Sequence, residues 1–358
     1  MDAKLHKKLS DRQEKGTSRS LSSFEGFVDF FSNDYLGCSK YSSAVMPSGG
    51  STGSRLLSGN SEVYEGIEYQ FAQFFDSDAA LHFNSGYDAN LGIFSTIPQK
   101  GDTILYDELI HASVRDGIRL SWAKSFSFRH NDLDQLEQRL EKAEGAVYVV
   151  VEALYSMDGD MAPLIEMASL CASYGGYLIV DEAHSGGVFG SSGKGLVDLL
   201  GLTSQVFMRL ITFGKAYGSH GAVVLCSQDV KQYLINFCRP FIYSTALPVS
   251  VVAHNFSVAT SADLDAARKR LEVVLDCYQQ RLGTYSTFSA PNSPIQIVEL
   301  GNVKKTQEIA KELQQHSIAV KPIFSPTVPE GKERLRICLH AYNTSDEIDL
   351  LATIIQKF

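Results

Sequence analysis

Short apolar runs alternate with helical patterns over the central part of the chain. The runs that are typical of buried strands lie at 79–83, 103–106, 125–128, 146–152, 177–181, 206–212 and 221–226. Apolar residues recur at helical spacing between most of them, at 61–75, 87–96, 108–122, 132–143 and 163–174. Short apolar strands that alternate with helices are typical of a parallel sheet covered on both faces. The pattern therefore predicts an α/β domain with a mostly parallel, seven-stranded sheet.

The last third of the chain has a different pattern. We predict there a long helix at 249–284, a strand at 295–300, a helix at 303–315, strands at 318–323 and 334–339, and a final helix. Thr344 and Glu347 have the spacing of a capping box at the start of that final helix. The predicted organisation is an N-terminal segment at 1–45, a large α/β domain at 46–245 and a small α+β domain at 246–358.

Composition and charge narrow the class of protein. The chain has 358 residues, which is enough for one large core and a smaller one. Its net charge of -9 argues against general nucleic-acid binding. No apolar run approaches the ~20 residues that a membrane-spanning helix needs. We therefore expect a protein that acts on small molecules, away from nucleic acids and membranes.

The cysteines and the N-terminus indicate the compartment. The six cysteines are scattered, with no C-x-x-C pair and no zinc-like spacing, so we predict reduced thiols and no metal site. The first fifteen residues are charged and contain no apolar segment of the kind found in secretory signals. Together these features predict a cytoplasmic protein.

Polar side chains gather where the predicted strands end. They are Glu152, Asp181, His184, Thr212 and Lys215. In open α/β sheets ligands bind outside the carboxyl ends of the strands. Each residue taken alone has an ordinary structural explanation, but their convergence as a set predicts a binding site at this edge.

Lys215, Asp181 and His184 suit pyridoxal 5'-phosphate (PLP) chemistry. The lysine lies among small residues in T-F-G-K-A-Y-G, and the other two close the run Y-L-I-V-D-E-A-H. A lysine amine can hold the PLP aldehyde as a Schiff base, and an aspartate can keep the pyridine nitrogen protonated. D-E-A-H is also a helicase signature, but the phosphate loop G-x-x-x-x-G-K-[ST] that a helicase needs is absent from the sequence.

Backbone amides and hydroxyl groups are the expected partners of the PLP phosphate. Gly86 and Tyr87 follow a strand and open a helix, where free N–H groups favour an anion. Thr212, Ser244 and Thr245 add hydroxyl groups. A plain strand-to-helix turn would explain the first pair equally well.

Four further side chains are candidates for the surroundings of the pyridine ring. His111 opens a predicted helix and could stack on the ring, and His184 could donate to a ring oxygen. Glu152 ends a predicted strand, and Ser156 follows it by four residues. A structural role is the alternative for each histidine taken alone.

Eight ordered motifs resemble those of the α-oxoamine synthases. They are S-N-D-Y-L-G (32–37), G-S-T-G-S-R-L-L-S-G-N (50–60), H-A-S-x-x-D-G (111–117), H-N-D (130–132), S-M-D-G-D-x-A-P-L (156–164), D-E-A-H-x-x-G-V-x-G (181–190), T-F-G-K-A-x-G (212–218) and I-Y-S-T (242–245). The resemblance covers most of the chain. It implies a fold-type I, PLP-dependent homodimer that condenses an amino acid with an acyl thioester carried by CoA or by an acyl carrier protein.

The resemblance also implies a role for each matching residue. Lys215 would form the Schiff base, Asp181 would pair with the pyridine nitrogen, His111 would stack on the ring and His184 would reach the ring oxygen. The other implied cofactor contacts are Gly86, Tyr87, Glu152, Ser156, Thr212, Ser244 and Thr245, the last two reaching the phosphate from the neighbouring subunit.

The implied substrate contacts include one departure from the family pattern. They are Arg19, Asn33, His111, Thr327 and Arg336. The family's R-P-P-T-V-P motif, whose arginine binds the amino-acid carboxylate, reads F-S-P-T-V-P here, so Phe324 stands in place of that arginine. A carboxylate favours a bidentate arginine, and Arg336, Arg334, Arg55 and Lys321 are the candidates to replace it.

The wording of S-R-L-L-S-G-N favours the family member that joins L-alanine to a pimeloyl thioester in biotin synthesis. Sister enzymes that use glycine or serine remain alternatives, because they share the motifs. A catalytically silent PLP-binding scaffold is a further alternative, suggested by Phe324.

Overall fold

A computed structural model describes residues 10–11, 13–16, 26–40, 50–286 and 288–358. Arg19, one of the predicted substrate contacts, lies outside the described residues. The chain divides into two compact units. The smaller consists of the described residues up to 35, with 157–160 and 269–358, and the larger consists of the described residues of 36–156 and 161–268.

The strands and helices follow the predicted alternation. In chain order the strands are β1 (Val28–Asp29), β2 (Ala79–Phe83), β3 (Thr103–Asp107), β4 (Lys124–Phe128), β5 (Val147–Glu152), β6 (Tyr177–Asp181), β7 (Met208–Thr212), β8 (Ala222–Cys226), β9 (Ile295–Glu299), β10 (Ile318–Ala319), β11 (Lys321–Ile323) and β12 (Arg334–Cys338). The helices are α1 (Glu62–Phe74), α2 (Gly86–Thr96), α3 (Ala112–Leu120), α4 (Leu133–Leu140), α5 (Leu164–Ser173), α6 (Leu196–Leu199), α7 (Gln228–Phe237), α8 (Arg239–Ile242), α9 (Val249–Ala259), α10 (Asp263–Leu282), α11 (Val303–Gln315) and α12 (Ser345–Ile355).

The larger unit is built on a seven-stranded sheet in the order β2-β8-β7-β6-β5-β3-β4. The pairs β3–β4, β3–β5, β5–β6 and β6–β7 are parallel, whereas β8 runs antiparallel to both of its neighbours. The predicted mostly parallel sheet is therefore confirmed. Its register places Glu152 directly opposite Asp181 at the carboxyl ends of β5 and β6.

Helices cover both faces of this sheet. Ile93 of α2 and Val114 of α3 are buried in one core cluster together with Leu81 of β2. Side chains alternate across a strand, so His82 points to the opposite face. There its ring lies 4.9 Å from the ring of Phe71 in α1. Strands β5 and β7 are buried along their whole length, β5 as an almost wholly apolar run and β7 with Arg209 as a buried charged residue.

The smaller unit contains two short sheets, β1–β10 and β11–β12–β9, with helices α11 and α12. Thr344 and Glu347 form the predicted capping box at the start of α12. The strand predicted at 318–323 is two short strands, because β10 pairs with β1 while β11 pairs with β12.

The long helix predicted at 249–284 is wrong. The structure has two helices, α9 and α10, separated by residues 260–262. The Thr260 hydroxyl donates to the Phe256 carbonyl at 2.8 Å, and the Ser261 hydroxyl accepts from the Asp263 N–H at 3.2 Å. Hydroxyl side chains that satisfy helix-end groups favour termination over continuation, and the apolar periodicity on either side concealed this break.

The boundary of the larger unit, at residue 268, lies beyond the domain boundary that the sequence placed at 245. The predicted domain limits remain predictions. None of the helices described is long and apolar enough to span a bilayer.

Candidate active site

A cavity of about 220 Å³ lies in the larger unit, at the carboxyl ends of the parallel strands. Loops that follow the strands, and the first turns of α2 and α3, supply its walls. Its lining residues are Ser85, Gly86, Tyr87, Asn90, His111, Ser113, Glu152, Asp181, Ala183, His184, Thr212, Gly214, Lys215, His220 and Gly221. The cavity thus brings together eight of the residues singled out from the sequence, namely Gly86, Tyr87, His111, Glu152, Asp181, His184, Thr212 and Lys215.

Lys215 and His184 are in direct contact. The Lys215 Nζ lies 2.9 Å from the His184 Nε2. Lys215 follows β7 in a tight turn that Gly218 closes at φ +58°, where an added Cβ would lie 2.3 Å from the Ser39 backbone nitrogen. Only glycine combines this positive φ with such a close approach of another backbone. Gly218 therefore allows the tight turn that carries Lys215 at the end of β7.

Asp181 is buried and accepts two hydrogen bonds. Its Oδ1 accepts from the Ala183 N–H at 2.9 Å, and its Oδ2 accepts from the Asn90 side-chain amide at 2.8 Å. Both donors fix the direction of the carboxylate at the end of β6.

Glu152 lies beside Asp181 in a different environment. Its Oε2 accepts from the Ser156 N–H at 3.2 Å, while its Oε1 is buried with no hydrogen-bond partner among the described residues. Burial raises the pKa of Glu152 to about 8, and the neighbouring Asp181 carboxylate adds to the effect. A proton on Glu152 therefore avoids a second buried negative charge at this sheet edge.

His111 forms the N-cap of α3. Its Nδ1 accepts from the Ser113 N–H at 3.2 Å and lies 2.7 Å from the Ser113 hydroxyl. Burial lowers the pKa of His111, and the charge of Lys215 lowers it further. The ring of Tyr87 meets the His111 ring edge-on, with 6.4 Å between centroids.

The start of α2 packs closely against the end of β7. A Cβ at Gly86 would lie 2.6 Å from the Thr212 Cγ2, so the backbone can approach this closely only because residue 86 is glycine. The Thr212 hydroxyl donates to the Ala183 carbonyl at 3.3 Å. The Tyr87 hydroxyl donates to the Asp116 carboxylate.

These features fit a small anionic cofactor with a cationic ring. A helix start offers N–H groups to a phosphate, and Gly86 lets that start pack closely against Thr212. The same cavity holds a buried carboxylate, Asp181, which can pair with a protonated ring nitrogen. The amine of Lys215, also in the lining, provides the attachment point for an aldehyde.

The remaining predicted contacts lie outside this lining. The Ser156 backbone N–H donates to the Glu152 Oε2 at 3.2 Å. Ser244 and Thr245 line a separate small cavity of the larger unit, together with Arg55. Their predicted role across a subunit boundary stays a prediction.

Asn33, Arg336 and Thr327 belong to the smaller unit. The Arg336 guanidinium donates to the Asn33 Oδ1 at 3.0 Å and to the Cys338 Sγ at 2.9 Å. Lys321 lies opposite Arg336 in the β11–β12 register. The Thr327 N–H donates to the Phe324 carbonyl at 3.0 Å, which places both residues in one turn.

Two of the candidate replacements for the missing arginine are held by carboxylates. Arg334 pairs with Asp158. Arg55 donates to both oxygens of Glu68, at 2.7 Å and 3.2 Å, and this bidentate pair occupies the face with which Arg55 would bind a substrate carboxylate.

Asn90 and Ser113 line the cavity although sequence reasoning did not select them. Asn90 is the last letter of N-S-G-Y-D-A-N, one helical turn after the phosphate candidates, and Ser113 is the third letter of H-A-S. Helical spacing places Asn90 on the same face as Gly86, four residues earlier, and this signal could have identified it.

The chain matches known proteins along almost its whole length. The model of the family "Aminotransferase class I and II" matches residues 25–355. The 8-amino-7-oxononanoate synthase of Emericella nidulans is 40% identical, with 98% of this chain and 94% of the relative covered.

Two solved structures have similar folds. A serine palmitoyltransferase from S. paucimobilis with a bound PLP–myriocin aldimine is 28% identical with a TM-score of 0.87, and the match covers 99% of this chain and 96% of the other. The 8-amino-7-oxononanoate synthase of Francisella tularensis is 29% identical with a TM-score of 0.75, and the match covers 93% and 98% of the two chains.

These matches confirm the fold-type I transferase architecture, the resemblance in sequence and the PLP cofactor expected of it. The chain belongs to the aminotransferase class I and II family.

Proposed function

We propose that this protein is a PLP-dependent C-acyltransferase that acts as an 8-amino-7-oxononanoate synthase. It condenses L-alanine with a pimeloyl thioester and releases CO₂ and a free thiol. The relatives that support this proposal bear that name at 35–40% identity over nearly the full chain. The observation that carries the chemistry is the grouping of Lys215, His184 and Asp181 in one cavity.

Four residues would hold the cofactor. Lys215 would bond the PLP aldehyde, Asp181 would pair with the ring nitrogen, and Gly86 and Tyr87 would offer N–H groups to the phosphate. When bound, PLP withdraws electrons from the α-carbon of an attached amino acid, so that bonds to that carbon break more easily.

The side chains of this protein then move and hold protons. The Lys215 amine would remove the α-proton of the amino acid and return a proton to the product. His184, 2.9 Å from that amine, orients it. Asp181 keeps a proton on the ring nitrogen. General acid–base transfer of this kind contributes about 10²- to 10⁴-fold to a rate.

The amino-acid carboxylate needs a cation, and Phe324 stands where the family has arginine. We propose that Arg336 takes this role with Asn33 as its neighbour. The Asn33 Oδ1 accepts from both the Arg336 guanidinium and the Tyr35 hydroxyl, which fixes the relative positions of Arg336 and Asn33 within the smaller unit. Thr327, in the turn with Phe324, is the remaining candidate contact.

Serine palmitoyltransferase is the second candidate function. The observation that favours it is the structural likeness to that enzyme, with a TM-score of 0.87 over 99% of this chain. The identity of 28% to that structure is below the 40% shared with the 8-amino-7-oxononanoate synthase relative. We therefore rank it second.

An amino-acid titration of the PLP-loaded protein tests the proposal. L-alanine, glycine and L-serine are added separately, and the change in cofactor absorbance gives a dissociation constant for each. The proposal expects L-alanine to bind most tightly. Tightest binding of L-serine or glycine would assign the protein to a sister activity, and no response to any of the three would support the scaffold alternative.

A further inference from the structure

A continuous chain of hydrogen bonds runs along one wall of the cavity. The Asn90 amide nitrogen lies 2.8 Å from the Asp181 Oδ2 and 3.0 Å from the Ser113 hydroxyl. That hydroxyl in turn lies 2.7 Å from the His111 Nδ1. Asn90 and Ser113 are both buried. The chain thus connects the buried carboxylate to the imidazole through two neutral side chains.

The carboxylate sets the direction of the first two bonds. A carboxylate oxygen only accepts, so the amide of Asn90 must turn its NH₂ group toward Asp181. The same nitrogen has a second hydrogen, and this hydrogen points to the Ser113 oxygen. Because the Ser113 hydroxyl accepts from Asn90, its own hydrogen remains available for His111.

The backbone supplies an independent donor to the same ring atom. The Ser113 N–H donates to the His111 Nδ1 at 3.2 Å, as the N-cap contact of α3. The Nδ1 therefore faces two donors from one residue. A ring nitrogen that accepts has no hydrogen of its own, so the ring proton is on Nε2. Burial and the charge of Lys215 lower the pKa of His111, which agrees with a neutral ring.

We infer that Asn90 and Ser113 are positioning residues that hold His111 as the neutral tautomer protonated at Nε2. Their orientation derives from the Asp181 carboxylate at the far end of the chain. This inference rests on the proposed function only for the roles that Asp181 and His111 have in the reaction. The tautomer itself follows from the hydrogen-bond directions.

A fixed tautomer limits what His111 can do. Its Nδ1 is occupied by two donors, and its Nε2 already carries a hydrogen. The imidazole can stack or donate through Nε2, but it has no free lone pair with which to remove a proton. Proton abstraction is thereby left to Lys215, and the two residues have separate roles in one cavity.

Nitrogen NMR of the PLP-loaded protein, labelled with ¹⁵N at histidine, tests the inference. The His111 signals are assigned by their loss in His111→Gln. We expect a bare Nδ1 and a protonated Nε2 at neutral pH. A His111 protonated at Nδ1, or at both nitrogens, would overturn the inference.

Two variants test the contribution of each residue. Ser113→Ala removes the hydroxyl donor, and Asn90→Leu removes the amide while keeping a similar shape. We expect each variant to change the single tautomer into a mixture with a measurable fraction protonated at Nδ1, and Ser113→Thr to restore the single form. An unchanged spectrum in either variant would show that the substituted residue does not hold the His111 tautomer.

Ser95→Ala is the matched control. The Ser95 hydroxyl lies on the same helix as Asn90, and among the described residues it bonds to the backbone carbonyls of Leu91 and Gly92. Its removal should leave the His111 signals as they are. A change in the His111 signals as large as that in Asn90→Leu would show that any disturbance of the helix has this effect. It would refute a specific role for the hydrogen bonds of Asn90 and Ser113.

The spectrum and the enzyme assay can fail separately. A single Nε2–H tautomer in a protein that releases no thiol from any acyl donor would contradict the proposed function and leave the inference standing. An active enzyme whose His111 is protonated at Nδ1 would refute the inference and leave the proposed function standing.

Discussion

At the scale of single residues, the cavity places two carboxyl groups side by side in different surroundings. Asp181 accepts from two N–H donors, whereas the Glu152 Oε1 has no partner among the described residues. Burial raises the pKa of Glu152 to about 8, so a proton on Glu152 is favoured beside the Asp181 carboxylate. Pairs of titratable groups separated in this way are typical of catalytic sites.

Lys215→Ala should abolish turnover, because no other amine among the cavity-lining residues can bond the PLP aldehyde. The expected loss is at least the ~10²- to 10⁴-fold that proton transfer contributes. Thiol release measured with saturating PLP checks this, and the cofactor absorbance should lose its Schiff-base band. Lys304→Ala, at an exposed position of α11, is the control and should retain full activity. A normal rate in Lys215→Ala would refute the assignment of the lysine.

Glu152→Gln should change how stability depends on pH. Because the pKa of Glu152 is raised to about 8 in the folded protein, the folded state binds one proton more than the unfolded state between about pH 4.5 and pH 8. The wild type should therefore lose stability as pH rises through this window, by at most about 1.4 kcal/mol per pH unit. The glutamine variant should lack this slope. Denaturant unfolding of the cofactor-free wild type and variant at several pH values checks the difference. If the free energies of unfolding of the two proteins change with pH in the same way, the raised pKa of Glu152 is contradicted.

The sequence identified the chemically distinctive residues of the cavity and missed those with a supporting role. Lys215, Asp181 and His184 stand out because a lysine, a carboxylate and an imidazole lie at predicted strand ends, where ligands bind in open α/β sheets. Helical spacing could have marked Asn90 as facing the cavity, but the contacts that Asn90 and Ser113 make with Asp181 and His111 appear only in the fold. Hydrogen-bond direction is a three-dimensional property, and no single-sequence pattern encodes it.

At the scale of elements, helix α2 and strand β7 meet at Gly86 and Thr212. This contact holds the first turn of the helix, with its free N–H groups, against the cavity. An added methyl group at residue 86 would lie 2.6 Å from the Thr212 Cγ2, while the next nearest atoms, at Leu210 and the Thr212 Cβ, are 3.9 Å away. One methyl group of Thr212 therefore accounts for the whole steric conflict.

Gly86→Ala should weaken PLP binding, with the cost of ~1–3 kcal/mol that overpacking usually carries. Gly86→Ala combined with Thr212→Ser removes the conflicting methyl group and should recover most of the affinity. Fluorescence titration with PLP measures both. Tight PLP binding by Gly86→Ala alone would show that the approach of α2 to β7 does not shape the site.

Gly66→Ala in α1 is the matched control for that series. A Cβ there would meet no atom within 4 Å. In a helix interior this exchange should stabilise the protein by about 0.5–1 kcal/mol and leave PLP affinity unchanged.

Most elements were predictable because the buried strands are short runs rich in apolar residues. The exceptions are places where local hydrogen bonds compete with periodicity. Thr260 and Ser261 end one helix and begin another inside an unbroken apolar pattern. The order of the strands was not predictable, since β8 returns antiparallel between β2 and β7 and nothing in its own sequence states this.

At the scale of the whole molecule, a buried ion pair stabilises the larger unit next to Asp181. The Arg209 Nε donates to the Glu182 Oε2 at 2.8 Å, and both side chains are buried. The other carboxylate oxygen accepts from Ser185 and from the Val197 N–H, both at 3.0 Å. The pair thus connects the residue after Asp181 to the start of α6.

Arg209→Met should destabilise the fold strongly, because it leaves the Glu182 charge buried without its partner. The expected loss is about 3–5 kcal/mol in the free energy of unfolding. Lys124→Met breaks an exposed pair with Glu144 and should cost less than about 1 kcal/mol. Equal losses in the two variants, measured by denaturant unfolding, would contradict the structural role of the buried pair.

The central claim is that this chain joins L-alanine to a pimeloyl thioester, and thiol release tests it most directly. The purified, PLP-loaded protein is given L-alanine with pimeloyl-CoA, and in parallel glycine with acetyl-CoA and L-serine with palmitoyl-CoA. The account predicts thiol release with the first pair and its loss in Lys215→Ala. Release with only the glycine or serine pair would contradict the claim, as would silence with all three and with a pimeloyl group on an acyl carrier protein.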